Sequence, residues 1–259
     1  MPVVAVAASR HVYRGSPYAA ADPDEIMQLV MGIPKHKDVV LLSADPSALQ
    51  ATRAVRLALG EERIGLAHYD APPTAFVFGV AGATLLPEGR LGLVPAVLAA
   101  VAAATTTTAY LSSVGSLERP VPKLTQHLVS SLPWTRFVVD WGSQTVQVAH
   151  GPRVPTGIAI MVSASERPMP DVDESGWPAA RGVLAGDDGS FWGSRRWLET
   201  SVLHERLDSV VAGLASREEV ARHSACRSCG RVGGPGLCAF CQLPMPTDAL
   251  LETTHGGRA

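Results

Sequence analysis

The stretch DVVLLSADPSALQATRAVRLALG, residues 38–60, holds a strand, a turn and a helix in one reading frame. Val39 to Leu42 form an unbroken run of branched apolar residues, the pattern of a strand covered on both faces. Asp45 then offers a side-chain acceptor for the first helical amides, and Pro46 has its φ already fixed for the first helical position. Gly60 closes the helix with a residue that tolerates the left-handed region. The same start recurs in ADPDEIMQLVMG, residues 21–32, where Asp22 caps, Pro23 opens and Glu25 completes a capping-box spacing.

Outward from these two helices, Val3 to Ala8 reads as a first strand, and residues 63–68 and 75–80 as further short strands. LGLVPAVLAAVAAATTTTAYLSSV, residues 91–114, is uncharged and long enough to span a bilayer. It is rich in Ala and Thr and lacks basic or aromatic flanks on both sides, so it reads as a buried helix and no membrane is expected. Residues 123–131 suit a short helix, FVVDWGSQTVQVAHG a hairpin turning near Trp141 to Ser143, and residues 157–163 a buried strand. Strands alternating with helices, followed by a hairpin, predict an α/β fold: a mixed sheet with packed helices in three layers.

The composition shifts at Glu166. Residues 1–165 form the expected α/β domain, and 166–198 a Pro/Gly-rich connecting segment. Its Trp177, Trp192 and Trp197 need a surface to pack on. Leu203, Leu207, Val210 and Leu214 recur at helical spacing, so 199–224 reads as an amphipathic helical segment, with Ser216 and Glu219 as a second capping start. A zinc-ribbon-like knuckle follows over 225–243 and a flexible tail over 244–259.

The knuckle, CRSCGRVGGPGLCAFC, holds all four cysteines of the chain as two C-x-x-C pairs, Cys226 with Cys229 and Cys238 with Cys241. Two such turns complete a tetrahedral thiolate site, which suits a closed structural Zn²⁺; iron of the rubredoxin type stays open as an alternative. His223 stands close by as a spare donor. No cysteine remains for a disulfide framework, which points to a reducing, cytoplasmic setting. The opening MPVVAVAASR lacks a positively charged lead and reads as strand, not signal peptide.

A hydrophobic fraction of 46% against 18% charged residues is enough for a real core, and a net charge of -2 excludes a global basic field. Arg222, Arg227, Arg231 and Phe240 give the knuckle a small nucleic-acid-like face, meagre in charge beside Glu218 and Glu219. At the predicted strand ends stand Arg10, His11, Arg14, Asp45 and Asp70, with Ser43, His68 and Asp140, a set able to meet an anion or Mg²⁺. Each aspartate also has a plain local use as a cap or turn residue. No G-x-G-x-x-G, P-loop, G-x-S-x-G or H-E-x-x-H motif occurs. The sequence therefore favours a zinc-binding intracellular interaction or assembly module that meets a protein partner through its knuckle. An enzyme acting on an anionic or nucleotide-like substrate at the strand ends, and a nucleic-acid-associated protein, are the alternatives.

Overall fold

A computed structural model describes residues 3–7, 19–20, 22–149, 151–167, 169, 172–173, 175–178, 181–183, 191–216, 225–234 and 236–245. The first half follows the predicted alternation: β1 (Val3–Ala7), β2 (Ala19–Ala20), α1 (Pro23–Met31), β3 (Val39–Ser43), α2 (Pro46–Leu59) and β4 (Ile64–His68). These strands form a parallel sheet in the order β2-β1-β3-β4. Both helix starts form as the sequence implies. Asp22 accepts from the Glu25 amide at 2.9 Å and Asp45 from the Ala48 amide at 2.8 Å, and Gly60 ends α2 at φ 62°. Ile26, Val30 and Val55 of the two helices cover one face of the sheet, against Val39, Leu41 and Ile64.

The second half contains α3 (Pro73–Thr84), α4 (Val94–Ala104), β5 (Thr105–Leu111), α5 (Leu124–Val129), β6 (Phe137–Asp140), β7 (Thr145–Val148), β8 (Ala159–Ala164), β9 (Gly182–Val183), β10 (Trp197–Leu203) and α6 (Leu207–Ala215). Its strands build a second, mixed sheet in the order β7-β6-β5-β10-β8-β9. All its pairings are antiparallel except β8 with β9. Helices α3 and α4 lie between the two sheets, touching β1, β4, β5, β8 and β10, and α6 packs on both. The class is α/β with helices on a mixed sheet, but there are two sheets where one was expected.

Three elements differ from the sequence reading. Residues 75–80 belong to a helix, not a strand. APPTAFVFGVAGAT is apolar all round because even the half-buried face of α3, Val77, Val80 and Ala81, carries apolar residues, and such a helix has no periodicity to announce it. The uncharged 91–114 stretch is half helix and half strand. Its four consecutive threonines are β-branched and switch the chain from α4 into β5. Among the described residues no helix is long and apolar enough to cross a membrane.

Residues 199–203, read as the start of an amphipathic helix, are the end of β10, which is buried at every position. Leu203 belongs to that strand, and only Leu207, Val210 and Leu214 lie on α6. A strand with neighbours on both edges and both faces shows no alternation, so the spacing of its apolar residues was misleading. The three connecting tryptophans pack on the second sheet. Trp192 and Trp197 lie with Phe137, Val139 and Leu111, and Trp177 with Tyr110 and Ile160 on the opposite face. Ser216 is described, whereas Glu219, His223 and residues 246–259 of the expected tail lie outside the described residues.

Replacing Asp45 with Ala removes the acceptor for the first turn of α2 and is expected to cost about 1 kcal/mol in urea denaturation. An unchanged midpoint would show that the cap is not what fixes this helix start.

Candidate functional site

The strand-end residues do not assemble into a site among the described residues. Arg10, His11 and Arg14 lie outside them. Asp45 spends one oxygen on the Ala48 amide and the Ser47 hydroxyl. Asp70 is held bidentately by Arg119 at 2.6 and 2.9 Å, which raises the guanidinium above its ordinary value. Arg119 also stands 5.8 Å over the Trp141 ring. His68 Nδ1 meets the Ser43 hydroxyl and carbonyl at 3.1 and 3.0 Å, and Asp140 accepts from Ser143 in the hairpin turn. The local uses of these residues prevail because each carboxylate already has its donors.

The four cysteines do come together. Their sulfurs all lie within 4.8 Å of one another, with Cys226 and Cys241 at 3.2 Å and Cys229 and Cys238 at 3.6 Å. A tetrahedral zinc at about 2.3 Å from each sulfur needs sulfurs about 3.8 Å apart, close to this arrangement. Each C-x-x-C pair sits in the same turn. The Cys226 amide donates to the Arg231 carbonyl and the Gly230 amide to the Cys226 carbonyl; Cys238 with Leu243, and Gln242 with Cys238, repeat the pattern. Gly230 at φ 69° and Gln242 at φ 59° occupy equivalent left-handed positions. Amides of Cys229 and Ser228 bring the Cys226 thiol down to about 6, whereas burial pushes Cys238 up to about 12.

This knuckle is docked on the body of the same chain. β4 is the edge of the parallel sheet, and its Leu66 amide donates to the Ala239 carbonyl at 2.6 Å. Gln242 Nε2 donates to the Leu66 carbonyl, and Arg56 of α2 to the Phe240 carbonyl. Arg231 forks onto Asp38 at 2.7 and 3.2 Å while lying 4.1 Å from the Phe240 ring centre. Phe240, Cys226 and Cys238 are buried in the same core as α3 and α4. Gly92 permits this approach, because a Cβ there would occupy the position of the Val232 carbonyl. Phe240 and Arg231, the best members of the suggested nucleic-acid face, are thus turned inward. Arg222 lies outside the described residues.

Between α2, β4 and the knuckle runs an open groove of about 600 Å³. Leu57, Leu66 and Leu237 supply its apolar surface, with Leu57 83% and Leu237 54% exposed. Arg53 and Arg56 stand along the α2 side, with Gln242 opposite on the knuckle. Two carboxylates, Glu61 and Glu62, also line it, and Glu61 is held by Arg63 at 2.5 Å. The sequence reading missed this groove. Arg53, Arg56 and Leu57 look like one ordinary exposed helix face until the knuckle is brought beside them.

It also missed Glu199, a fully buried carboxylate in the middle of β10. One oxygen accepts from the Thr74 amide at 2.6 Å and its hydroxyl at 2.5 Å; the other accepts from Trp192 Nε1 at 2.7 Å. Ser201 links Thr74 to Thr107 at 2.6 Å on each side. The signal was present in WLETSVL, where a glutamate interrupts a run otherwise suited to a buried strand.

No family model matches the sequence, and no curated protein does. Solved structures share the fold. A DegV family protein from Eubacterium eligens loaded with heptadecanoic acid has a TM-score of 0.50 at 10% identity, over 72% of this chain and 79% of its own. A DegV family protein from Corynebacterium glutamicum reaches 0.50 at 11% identity, over 79% and 98%. A third, from Thermus thermophilus and described for its fatty acid binding, gives 0.47 at 12% identity, over 71% and 77%. At these identities the likeness is one of fold.

That likeness overturns the expectation of an interaction or assembly module working through its knuckle, because it spans most of the chain and belongs to the α/β body. The knuckle's best contacts are spent on that body. The strand-end enzyme and the nucleic-acid reading fall with it: Asp45 and Asp70 are engaged locally, and Phe240 is buried.

Glu199→Ala would leave the Trp192 indole N–H and the Thr74 amide facing an apolar void. The expected loss is about 3 kcal/mol or more in chemical denaturation. Glu199→Gln, which keeps the volume and one acceptor oxygen, is expected to lose less; equal losses would mean that the second acceptor and the charge, not the cavity, set the effect.

Proposed function

We propose that this protein binds a long-chain fatty acid in the groove between α2, β4 and the knuckle. The observation that carries the reading is the pairing of apolar walls with two guanidinium groups in one groove. It is supported by a fold like that of a DegV family protein loaded with heptadecanoic acid. The volume lies within the roughly 300–1,000 Å³ range typical of small-molecule sites.

Leu57, Leu66 and Leu237 supply surface for the hydrocarbon, where each buried methylene contributes about 0.8 kcal/mol. The carboxylate meets Arg53 and Arg56, whose planar forks match its two oxygens. Arg56 gives one N–H to the Phe240 carbonyl, and a guanidinium has five donors, so others remain for the ligand. The gathering of all four cysteines in one cluster, with none left for a disulfide framework, fits a cytoplasmic carrier.

Delipidated protein titrated with heptadecanoic acid should bind one molecule per chain. Leu57→Asp, at a site exposed enough to leave folding untouched, should weaken binding by about tenfold or more. Arg53→Ala should weaken the acid by about tenfold while leaving 1-heptadecanol nearly unchanged. Absence of saturable binding, or an affinity for the acid that neither variant changes from that of the unaltered protein, would end this reading.

A further inference from the structure

We propose that Cys226, Cys229, Cys238 and Cys241 form a closed tetrathiolate zinc site whose occupancy holds one wall of the groove in place, so that zinc loading and acyl-chain binding are linked. The linkage rests on the fatty-acid reading above; the zinc site and the wall do not.

The donor set is complete without help from any other residue. Four thiol sulfurs converge from two identical turns, and among the described residues no histidine or carboxylate joins them. Zinc takes four thiolates in tetrahedral geometry and has no redox chemistry of its own, so a closed site of this kind organises chain and does not react. The segment it organises is ordered by its docking on the body and by whatever joins its two turns, and its glycines make the second contribution necessary. Gly230, Gly233, Gly234 and Gly236 lie between the two C-x-x-C pairs, and unliganded glycines carry the largest conformational freedom of any residue. Metal binding and local folding are then one event.

The groove wall is continuous with the ligands. Leu237 immediately precedes Cys238, and Gln242 immediately follows Cys241; both line the groove. Between those two cysteines, Ala239 accepts from the β4 edge and Phe240 accepts from Arg56, itself a groove residue. Release of the metal frees the turn that presents Leu237, Gln242 and the Phe240 carbonyl together. Arg56 loses the acceptor that orients it, and Leu66 loses its cover. A ligand that contacts both walls therefore binds the zinc form more tightly. By reciprocity the same ligand holds zinc more tightly.

The test uses the full chain, purified under reducing conditions, with its metal content measured by mass spectrometry before and after removal by a chelator. Zinc at one per chain is expected; iron, or no metal that survives purification and zinc reconstitution, overturns the site. Hydrogen exchange then reads the wall without any ligand. The Leu66 amide, which donates to the Ala239 carbonyl, should exchange faster after zinc removal, while β10 stays protected. Unchanged exchange at β4, or equal loss across β10, overturns the local wall.

Heptadecanoic acid should bind the zinc form about tenfold more tightly than the stripped form, and should slow zinc transfer to a chelator by a matching factor. Equal affinities overturn the linkage. If the acid binds neither form while zinc still protects β4, the fatty-acid reading fails and the linkage with it, and the metal-held wall stands. Cys229→Ser, at a half-buried ligand, should reproduce the stripped form; a variant that keeps one zinc per chain and full β4 protection counts against the four-thiolate assignment.

Discussion

A single buried carboxylate ties the mixed sheet to the helix layer that lies between the two sheets. Glu199 sits at the centre of β10, itself the middle of the mixed sheet, and takes the first free amide of α3 on one oxygen and the Trp192 indole on the other. The amino end of a helix favours negative charge, and here that charge comes from the neighbouring sheet. Helix α3 also touches β1 of the parallel sheet, so this contact anchors to the mixed sheet a helix that both sheets share. Ser201 and Thr107 extend the polar seam, and the surrounding apolar residues raise the penalty for leaving any member unpaired.

The knuckle solves a different problem. A parallel sheet in the order β2-β1-β3-β4 leaves β4 with unpaired backbone groups along its outer side. Exposed edges of this kind invite pairing with other chains. Ala239 and Gln242 take up the amide and carbonyl of Leu66, and Phe240 fills the space beside β4. The cover is incomplete, and the part of β4 and α2 left beside it becomes the groove.

Local chemistry was legible in the sequence wherever it was decided within a few residues. The caps of α1 and α2, the hairpin around Trp141 and the converging cysteines follow from spacing and side-chain type alone. Elements without a polar face were not legible. β10 is buried at every position and α3 is apolar even on its half-buried face, so neither displays the periodicity that separates helix from strand. The groove was hidden for a different reason: its walls come from residues 53–66 and 237–242, which only the docking of the knuckle brings together. Asp45 and Asp70 looked eligible for ligand binding because nothing in the sequence reveals that Ala48 and Arg119 already hold them.

The contact between Gln242 and Leu66 joins residues 176 apart in the chain. Such a pairing is remote in sequence, and contacts of that kind close late because much intervening chain must first be ordered. During synthesis the parallel sheet is complete long before the cover for its edge has emerged. For that interval β4 presents the same bare backbone that the finished molecule conceals. A chain halted at that stage is expected to self-associate more readily than the finished one, and the last cysteine pair brings the cover that removes the exposed edge.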